Sequence, residues 1–267
     1  MDAILEDLCR IVARAGAVIE DVRRGDLGVE RKADRSLLTR ADREADALLR
    51  SELLALVPAA WLSEESADDL SRLEARRLWV VDPLDGTREF VQGLPEYSVA
   101  VALVEDGQPV LAAVHNPATG DMLAARRGAG TFRNGAAVCV REGRRLLASR
   151  SESGKGEFAP LVDRWDVAPL GSIQLKLALV AAGEAGVTLS RGPKHEWDVC
   201  AGALLVAEAG GLAGDIDGGP LRYNQPRPKV RGVLAGAPDA YARALQQVTL
   251  LGASERMREL DVEPRSK

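Results

Sequence analysis

An α/β fold is predicted for this chain by three patterns in order along it. Two long amphipathic helices open it, short strands separated by turns fill the middle, and helices and strands alternate through the second half. Ile4, Leu8, Ile11, Ala15, Val18 and Val22 recur at steps of four and three, which lays one apolar stripe along a first helix ending near Gly25. Gly28 to Lys32 reads as a strand or hairpin arm leading into the polar turn Ala33-Asp34-Arg35-Ser36. Thr39-Arg40-Ala41-Asp42 then opens a second helix. Its apolar face is Ala45, Leu48, Leu49, Leu53 and Leu56, and Pro58 stops it. A Thr-x-x-acid box caps a helix, which by itself accounts for Asp42.

Trp61-Leu62-Ser63 is a short strand running into Glu64 and Glu65, and a second apolar run ending in acids follows, so neighbouring strands are expected to end at one edge. The charged stretch 67–77 between them is expected to be an exposed connection. Ser98 to Val104 is almost unbroken apolar sequence, the mark of a strand buried on both faces. Glu105-Asp106-Gly107-Gln108 turns it back into Pro109 to His115, and Met122–Ala125, Thr131–Arg133 and Ala137–Val140 continue a mainly antiparallel meander. Gly128-Ala129-Gly130 lacks the third glycine of a dinucleotide loop, and Gly154-Lys155 lacks the leading glycine of a phosphate loop. Beyond it we expect strand Leu146–Ser149, helix Glu157–Arg164, a strand around Val167–Leu170, a helix through Ala182 and strand Val187–Leu189. A helix from His195 to Ala209 closes on Gly210-Gly211; strands around 212–215 and 230–235 and a helix over 240–248 complete the chain. At its helix start, Asp198 is by default a cap.

The chain of 267 residues is 46% apolar and 28% charged with a net charge of −5, the profile of a globular enzyme. With 4% aromatic residues and no basic excess it lacks the footprint of a nucleic-acid polymer binder. Cys9, Cys139 and Cys200 are odd in number and far apart, so we expect reduced thiols. No apolar run reaches the ~20 residues that span a bilayer and the N-terminus is acidic, so the protein is expected in the cytoplasm with no integral membrane contact.

The stretch Trp79-Val80-Val81-Asp82-Pro83-Leu84-Asp85-Gly86-Thr87 carries the chemistry. An apolar strand is expected to end at Asp82, with Pro83 preventing its continuation and Asp85 turning back toward the same point. Gly86 and Thr87 then offer backbone N–H groups to a phosphate at the start of a helical turn. Asp-Pro-Leu-Asp-Gly-Thr resembles the signature of the metal-dependent, lithium-sensitive phosphatases that include inositol monophosphatase, fructose-1,6-bisphosphatase and 3'(2'),5'-bisphosphate nucleotidase. Leu62-Ser63-Glu64-Glu65-Ser66 and Trp197-Asp198-Val199-Cys200-Ala201 resemble two further motifs of that family, in the family's order. Leu37 and Ser63 depart from the pattern, which commonly has Pro and Gly there, without removing a ligand.

The resemblance implies a layered αβαβα sandwich with metals between its halves. We expect an N-terminal lobe over 1–144, a C-terminal lobe over 145–251 that supplies Asp198 and substrate specificity, and a charged tail over 252–267. It further implies two or three Mg²⁺ ions. Glu64, Asp82 and the Leu84 carbonyl would hold the first, and Asp82, Asp85 and Asp198 the second. Glu64 and Glu65 would lie near a weaker third. Asp34 and Thr87 match the positions that orient the attacking water, Glu64 stands beside them, and Asp42 supports the network. Gly86 and Thr87 would hold the phosphate.

Lys32-Ala33-Asp34-x-Ser36, Asp-Gly-Thr-Arg-Glu-Phe, Gly-Ser…Lys176 and Arg222-Tyr223-Asn224 look closer to the nucleotidase branch. The expected substrate is therefore 3'-phosphoadenosine 5'-phosphate, with Ser172 and Lys176 near the nucleotide and Arg191 near its second phosphate. The alternatives are an inositol monophosphatase or broad sugar-phosphate phosphatase and, in a different class, an inactive metal-binding regulatory protein. Relatives of this kind occur as monomers or homodimers.

Overall fold

The computed structural model describes residues 1–33, 36–248 and 251; Asp34 and the expected tail over 252–267 lie outside the described residues. Helix α1 (Ala3–Arg23) forms as expected with Asp2 capping its first turn, but its buried face is Leu5, Leu8, Val12, Ala15, Ile19 and Val22, and Ile4, Ile11 and Val18 of the expected stripe are only half-buried beside it. Two short strands, β1 (Glu30–Arg31) and β2 (Leu37–Leu38), pair as the hairpin arm before α2 (Arg40–Leu56). A seven-stranded sheet follows, built in order from β3 (Ala60–Ser63), β4 (Arg77–Asp85), β5 (Ser98–Glu105), β6 (Gln108–Asn116), β7 (Asp121–Arg126), β8 (Gly130–Arg133) and β9 (Ala136–Val138). A short helix, α3 (Thr87–Val91), leaves the end of β4.

The meander is antiparallel except at its first pair. β3 runs parallel to β4, Ser63 opposite Val81, so both strands deliver their C-terminal acids to one edge as the sequence predicted. Pro83 does not end β4. The ladder with β5 resumes after a register shift between Asp82 and Asp85, with Asp85 opposite Ser98. A bulge absorbs the proline, which cannot donate to a ladder, and the bend turns these two side chains toward the sheet's end.

The second half gives β10 (Arg145–Ser149), α4 (Arg150–Ser153), β11 (Asp166–Leu170), α5 (Ile173–Ala181), β12 (Val187–Ser190), β13 (Lys194–His195), α6 (Glu196–Glu208), β14 (Leu212–Gly214), β15 (Lys229–Val230), β16 (Val233–Gly236) and α7 (Pro238–Val248). The five-stranded sheet has the order β11-β10-β12-β16-β14 and mixes parallel with antiparallel pairs. The helix expected over 157–164 is a single 3-10 turn, Ala159–Leu161. Gly156, at φ 74°, and Pro160 leave no unbroken helical stretch there. The strand expected over 230–235 is two strands, because the chain turns at Gly232 with φ 68°.

Alternation along the strands sets the layers. Trp79, Val81, Val99, Val101 and Leu103 pack on α1 and α2, whereas Leu78, Val80, Ala100, Ala102 and Val104 face α5 and α6. Helices α5 and α6 are buried on nearly every side, as helices between two sheets must be, and carry the polar residues Gln174, Lys176, Glu196 and Asp198 at their N-terminal ends. Leu147, Val233 and Ala235 of the second sheet close that inner core. Leu146, Leu189 and Leu234 point outward to Phe158, Leu161, Trp165 and α7. The result is the αβαβα sandwich, and residues of both halves share its central cluster. Among the described residues no helix is long and apolar enough to cross a membrane.

The segment 67–77 is not wholly exposed. Its Arg72 is 1% exposed and makes a bidentate pair with Asp68, while also donating to Asn224 Oδ1 at 2.8 Å and the Gln225 carbonyl at 3.0 Å. Buried Glu196, first residue of α6, accepts the backbone N–H groups of Asn224 and Gln225 at 2.7 and 2.8 Å.

Candidate active site

At the shared edge of β3 and β4, against the N-terminus of α6, one oxygen each from Glu64, Asp82 and Asp198 lie within 4.8 Å of one another. Each arrives by a different local rule. Glu64 follows β3, its N–H bonded to the Val81 carbonyl at 3.3 Å. Asp82 sits 1% exposed at the start of the bulge and accepts the Leu84 N–H at 3.1 Å. Asp198 caps α6 through the His195 N–H at 2.7 Å, so the default cap reading holds and a second oxygen remains for the cluster. Ser63, where the family commonly has Gly, donates to Asp46 at 2.5 Å and accepts the Glu65 N–H at 3.3 Å, which fixes the strand end carrying the acids.

Asp85 faces the same cavity. Its Oδ2 accepts the Ser172 hydroxyl and the Gln174 N–H, both at 2.6 Å, so the N-terminus of α5 orients this carboxylate. Asp42 does two jobs. Its Oδ2 accepts the Thr39 N–H and hydroxyl, completing the capping box, and its Oδ1 lies 3.1 Å from the Thr87 hydroxyl, which also reaches the Leu84 carbonyl at 3.0 Å. Gly86 needs to be glycine: φ is 96° and a Cβ would lie 2.6 Å from the Glu96 carbonyl. Asp34, the other expected water-orienting residue, lies outside the described residues.

The cavity measures about 620 Å³. Glu64, Asp82, Asp85 and Asp198 line it together with Leu84, Gly86 and Thr87, and Ser172, Lys176, Arg150 and Lys194 of the second half also line it. Glu65 pairs with Lys32 at 2.7 Å, and the same ammonium reaches Glu64 at 2.9 Å. Lys32 was quoted in sequence only as part of a motif; no spacing announced that it would bridge two acids.

Two of the expected nucleotide contacts are placed differently from their sequence reading. Lys176 lines the cavity, but it is 3% exposed and its ammonium donates to the carbonyls of Leu170, Gly171 and Ser172 at 3.1, 3.3 and 2.9 Å. Arg191 is also buried, pairs with Glu157 at 3.0 Å, donates to the Leu251 carbonyl at 2.8 Å and is not among the residues lining the cavity. Ser172 keeps its place on the wall as N-cap of α5 and partner of Asp85.

Burial and mutual repulsion raise the carboxyl pKa values. Asp82 is pushed well above the usual carboxylate range by burial, then by Glu64, Asp85 and Asp198. Asp198 is raised to about 7, mainly by burial and against the pull of Lys194. Glu65 also reaches about 7 through burial, and Glu64, Asp85 and Asp42 rise for the same first reason. Packed, acidic and all-oxygen, this donor set fits a hard divalent cation, which would relieve the repulsion. Without metal, a carboxyl whose folded pKa exceeds its unfolded one holds its proton more tightly in the native state. The chelated protein is therefore expected to melt at higher temperature as pH falls from 8 to about 6.5, above the range where His115, kept neutral by burial, begins to oppose the trend. Thermal melts across that interval check this, and saturating divalent cation should flatten or reverse the slope.

The layered sandwich with acids between its halves defines a frame for metal-assisted hydrolysis, and comparison with known proteins gives it a family. The sequence profile of the inositol monophosphatase family matches residues 1–250, and the chain belongs to that family. It is 32% identical over 240 residues to an inositol-1-monophosphatase of Rhizobium meliloti (strain 1021), covering 84% of this chain and 86% of the relative. It is 33% identical over 234 residues to the 3'(2'),5'-bisphosphate nucleotidase CysQ of Escherichia coli (strain K12), covering 82% and 94%. The crystal structure of the extragenic suppressor protein suhB from Bartonella henselae superposes with a TM-score of 0.81 at 27% identity over 92% of this chain and 98% of that one. The two sequence relatives are named for phosphate-ester hydrolysis, in agreement with a phosphomonoesterase.

Proposed function

We propose that this chain is a Mg²⁺-dependent phosphomonoesterase that hydrolyses 3'-phosphoadenosine 5'-phosphate to AMP and phosphate. The observation that carries the phosphatase reading is the trio Glu64, Asp82 and Asp198, acids from both halves, with Asp82 buried and the other two half-buried, converging on a cavity that Arg150, Lys176 and Lys194 also line. The nucleotide reading rests on the Lys32-Ala33-Asp34-x-Ser36 and Arg222-Tyr223-Asn224 segments and on the likeness to the nucleotidase relative.

Glu64, Asp82, Asp85, Asp198 and the Leu84 carbonyl would hold two or three Mg²⁺ ions, with Glu65 near the last. Cations there supply Lewis-acid charge to a phosphoryl oxygen and lower the pKa of water. Thr87, by donating to Asp42, presents its oxygen lone pairs to a water in the cavity, and Asp34 joins it in orienting that water. Gly86 and Thr87 would hold the phosphate with their backbone N–H groups. Ser172 and Gln174 fix Asp85, and Lys176 ties down the turn that carries Ser172.

The test is phosphate release from 3'-phosphoadenosine 5'-phosphate and from inositol 1-phosphate, side by side, with Mg²⁺ and with chelator. Strong preference for the nucleotide and silence under chelation are expected. Preference for inositol phosphate would replace the substrate by that of the inositol-1-monophosphatase relative, and no release from either would return the inactive metal-binding reading.

A further inference from the structure

Arg31 and Arg88, which also line the cavity, are exposed, and the less exposed cations around it can be sorted by what already occupies their donors. An ammonium has three N–H groups, and Lys176 directs its own at three backbone carbonyls. Arg150 is held by the Glu96 carboxylate, and Arg191 is buried with Glu157 away from the cavity lining. Lys194 differs. It is half-buried on β13, fixed by the antiparallel pairing with Val230, lines the cavity, and has no hydrogen-bond or ion-pair partner among the described residues. Its charge is nonetheless felt inside: it favours the ionised forms of Asp198 and Asp85 and disfavours that of Lys176. A lysine that costs rotamer entropy to hold, beside these acids yet bonded to none of them, presents its donors to the cavity contents.

We propose that Lys194 is the substrate-binding residue for a second anionic group, a phosphate carried on the leaving-group side of the phosphomonoester. The inference rests on the phosphatase reading above and deepens it. The scissile phosphate has its place between the acid cluster and Gly86–Thr87. Lys194 lines the same cavity from β13, which pairs with β15 outside the five-stranded sheet, and its place on that lining is open to a group carried beyond the scissile phosphate. A compact, hydrated point charge suits a phosphate whose orientation need not be fixed.

The experiment compares wild type with Lys194→Gln and Lys194→Arg, using a nucleoside 3',5'-bisphosphate and the corresponding 3'-monophosphate as substrates. Equilibrium binding of the same two ligands is measured in Ca²⁺ by calorimetry. Lys194→Gln is expected to raise KM and Kd for the bisphosphate about tenfold and to leave both nearly unchanged for the monophosphate, with Lys194→Arg recovering most of the loss. Equal weakening for both ligands would place Lys194 on the scissile phosphate and overturn the proposal. So would a changed Mg²⁺ activation midpoint with unaltered ligand affinity, which would make Lys194 a counter-charge to the acids. If wild type binds the bisphosphate more tightly than the monophosphate but hydrolyses neither, the catalytic reading fails while the binding comparison still decides the role of Lys194.

Discussion

Asp82→Asn is expected to lower metal-dependent phosphate release by on the order of 10³-fold, equivalent to about 4 kcal/mol of transition-state stabilisation. Asp82 is the acid whose burial and like-charged neighbours raise its pKa most plainly, and it belongs to the trio that spans both halves. An amide keeps the shape and can still accept the Leu84 N–H, so the bulge should survive. What disappears is one negative charge from the cation's donor set. The same substitution removes a repelling charge from the metal-free protein, so its melting temperature under chelation should rise while its activity collapses. Stability and activity moving in opposite directions is the signature of a ligand-set residue. A variant that keeps wild-type turnover, or one that loses activity because it melts lower in chelator, would contradict the assignment.

Arg72→Met carries the largest expected cost to stability, about 3 kcal/mol. The buried guanidinium joins Asp68, Asn224 and the Gln225 carbonyl in a partly buried network completed by Glu196. Methionine fills the volume but leaves buried acceptors unpaired. Denaturant midpoints should show the loss at unchanged slope. Arg76→Met, which breaks only the exposed pair with Asp106, should leave the midpoint where it is and serves as the contrast. Since Glu196 starts the helix that presents Asp198, the Mg²⁺ concentration needed for half-maximal activity should rise in Arg72→Met as well.

Most elements of this protein were legible in sequence because they follow from periodicity, while their stacking into layers came from the family resemblance. The stripe from Ile4 to Val22, the apolar strand from Ser98 to Val104 and the paired endings of β3 and β4 each need only one face or one edge to be counted. Glu64, Asp82 and Asp85 were legible because each follows an apolar strand, whereas Asp198, by default a helix cap, joined them only through the family resemblance. What sequence could not supply was the partner of each polar side chain. Arg72 and Lys176 look like surface residues in a one-dimensional reading, and both are buried because segments remote in the chain, or carbonyls one turn back, fold over them. Pro83 misled by a different route: a bulge lets a strand survive a residue that cannot donate to its ladder. Lys194 carried no signal at all, since what sets it apart from Lys176 and Arg150 is the lack of a partner among the described residues.

The trio of acids draws Glu64 and Asp82 from the first sheet and Asp198 from the start of α6, late in the chain. During synthesis, a nascent chain extended only through α5 would present two of these carboxylates and no third. Affinity for the cation would then appear when α6 docks between the sheets, so that an ion selecting the complete set stabilises only a chain that has finished folding. On the ribosome the site would act as a late checkpoint: the metal is captured when the two halves meet, and phosphatase competence and completed assembly arrive in the same event.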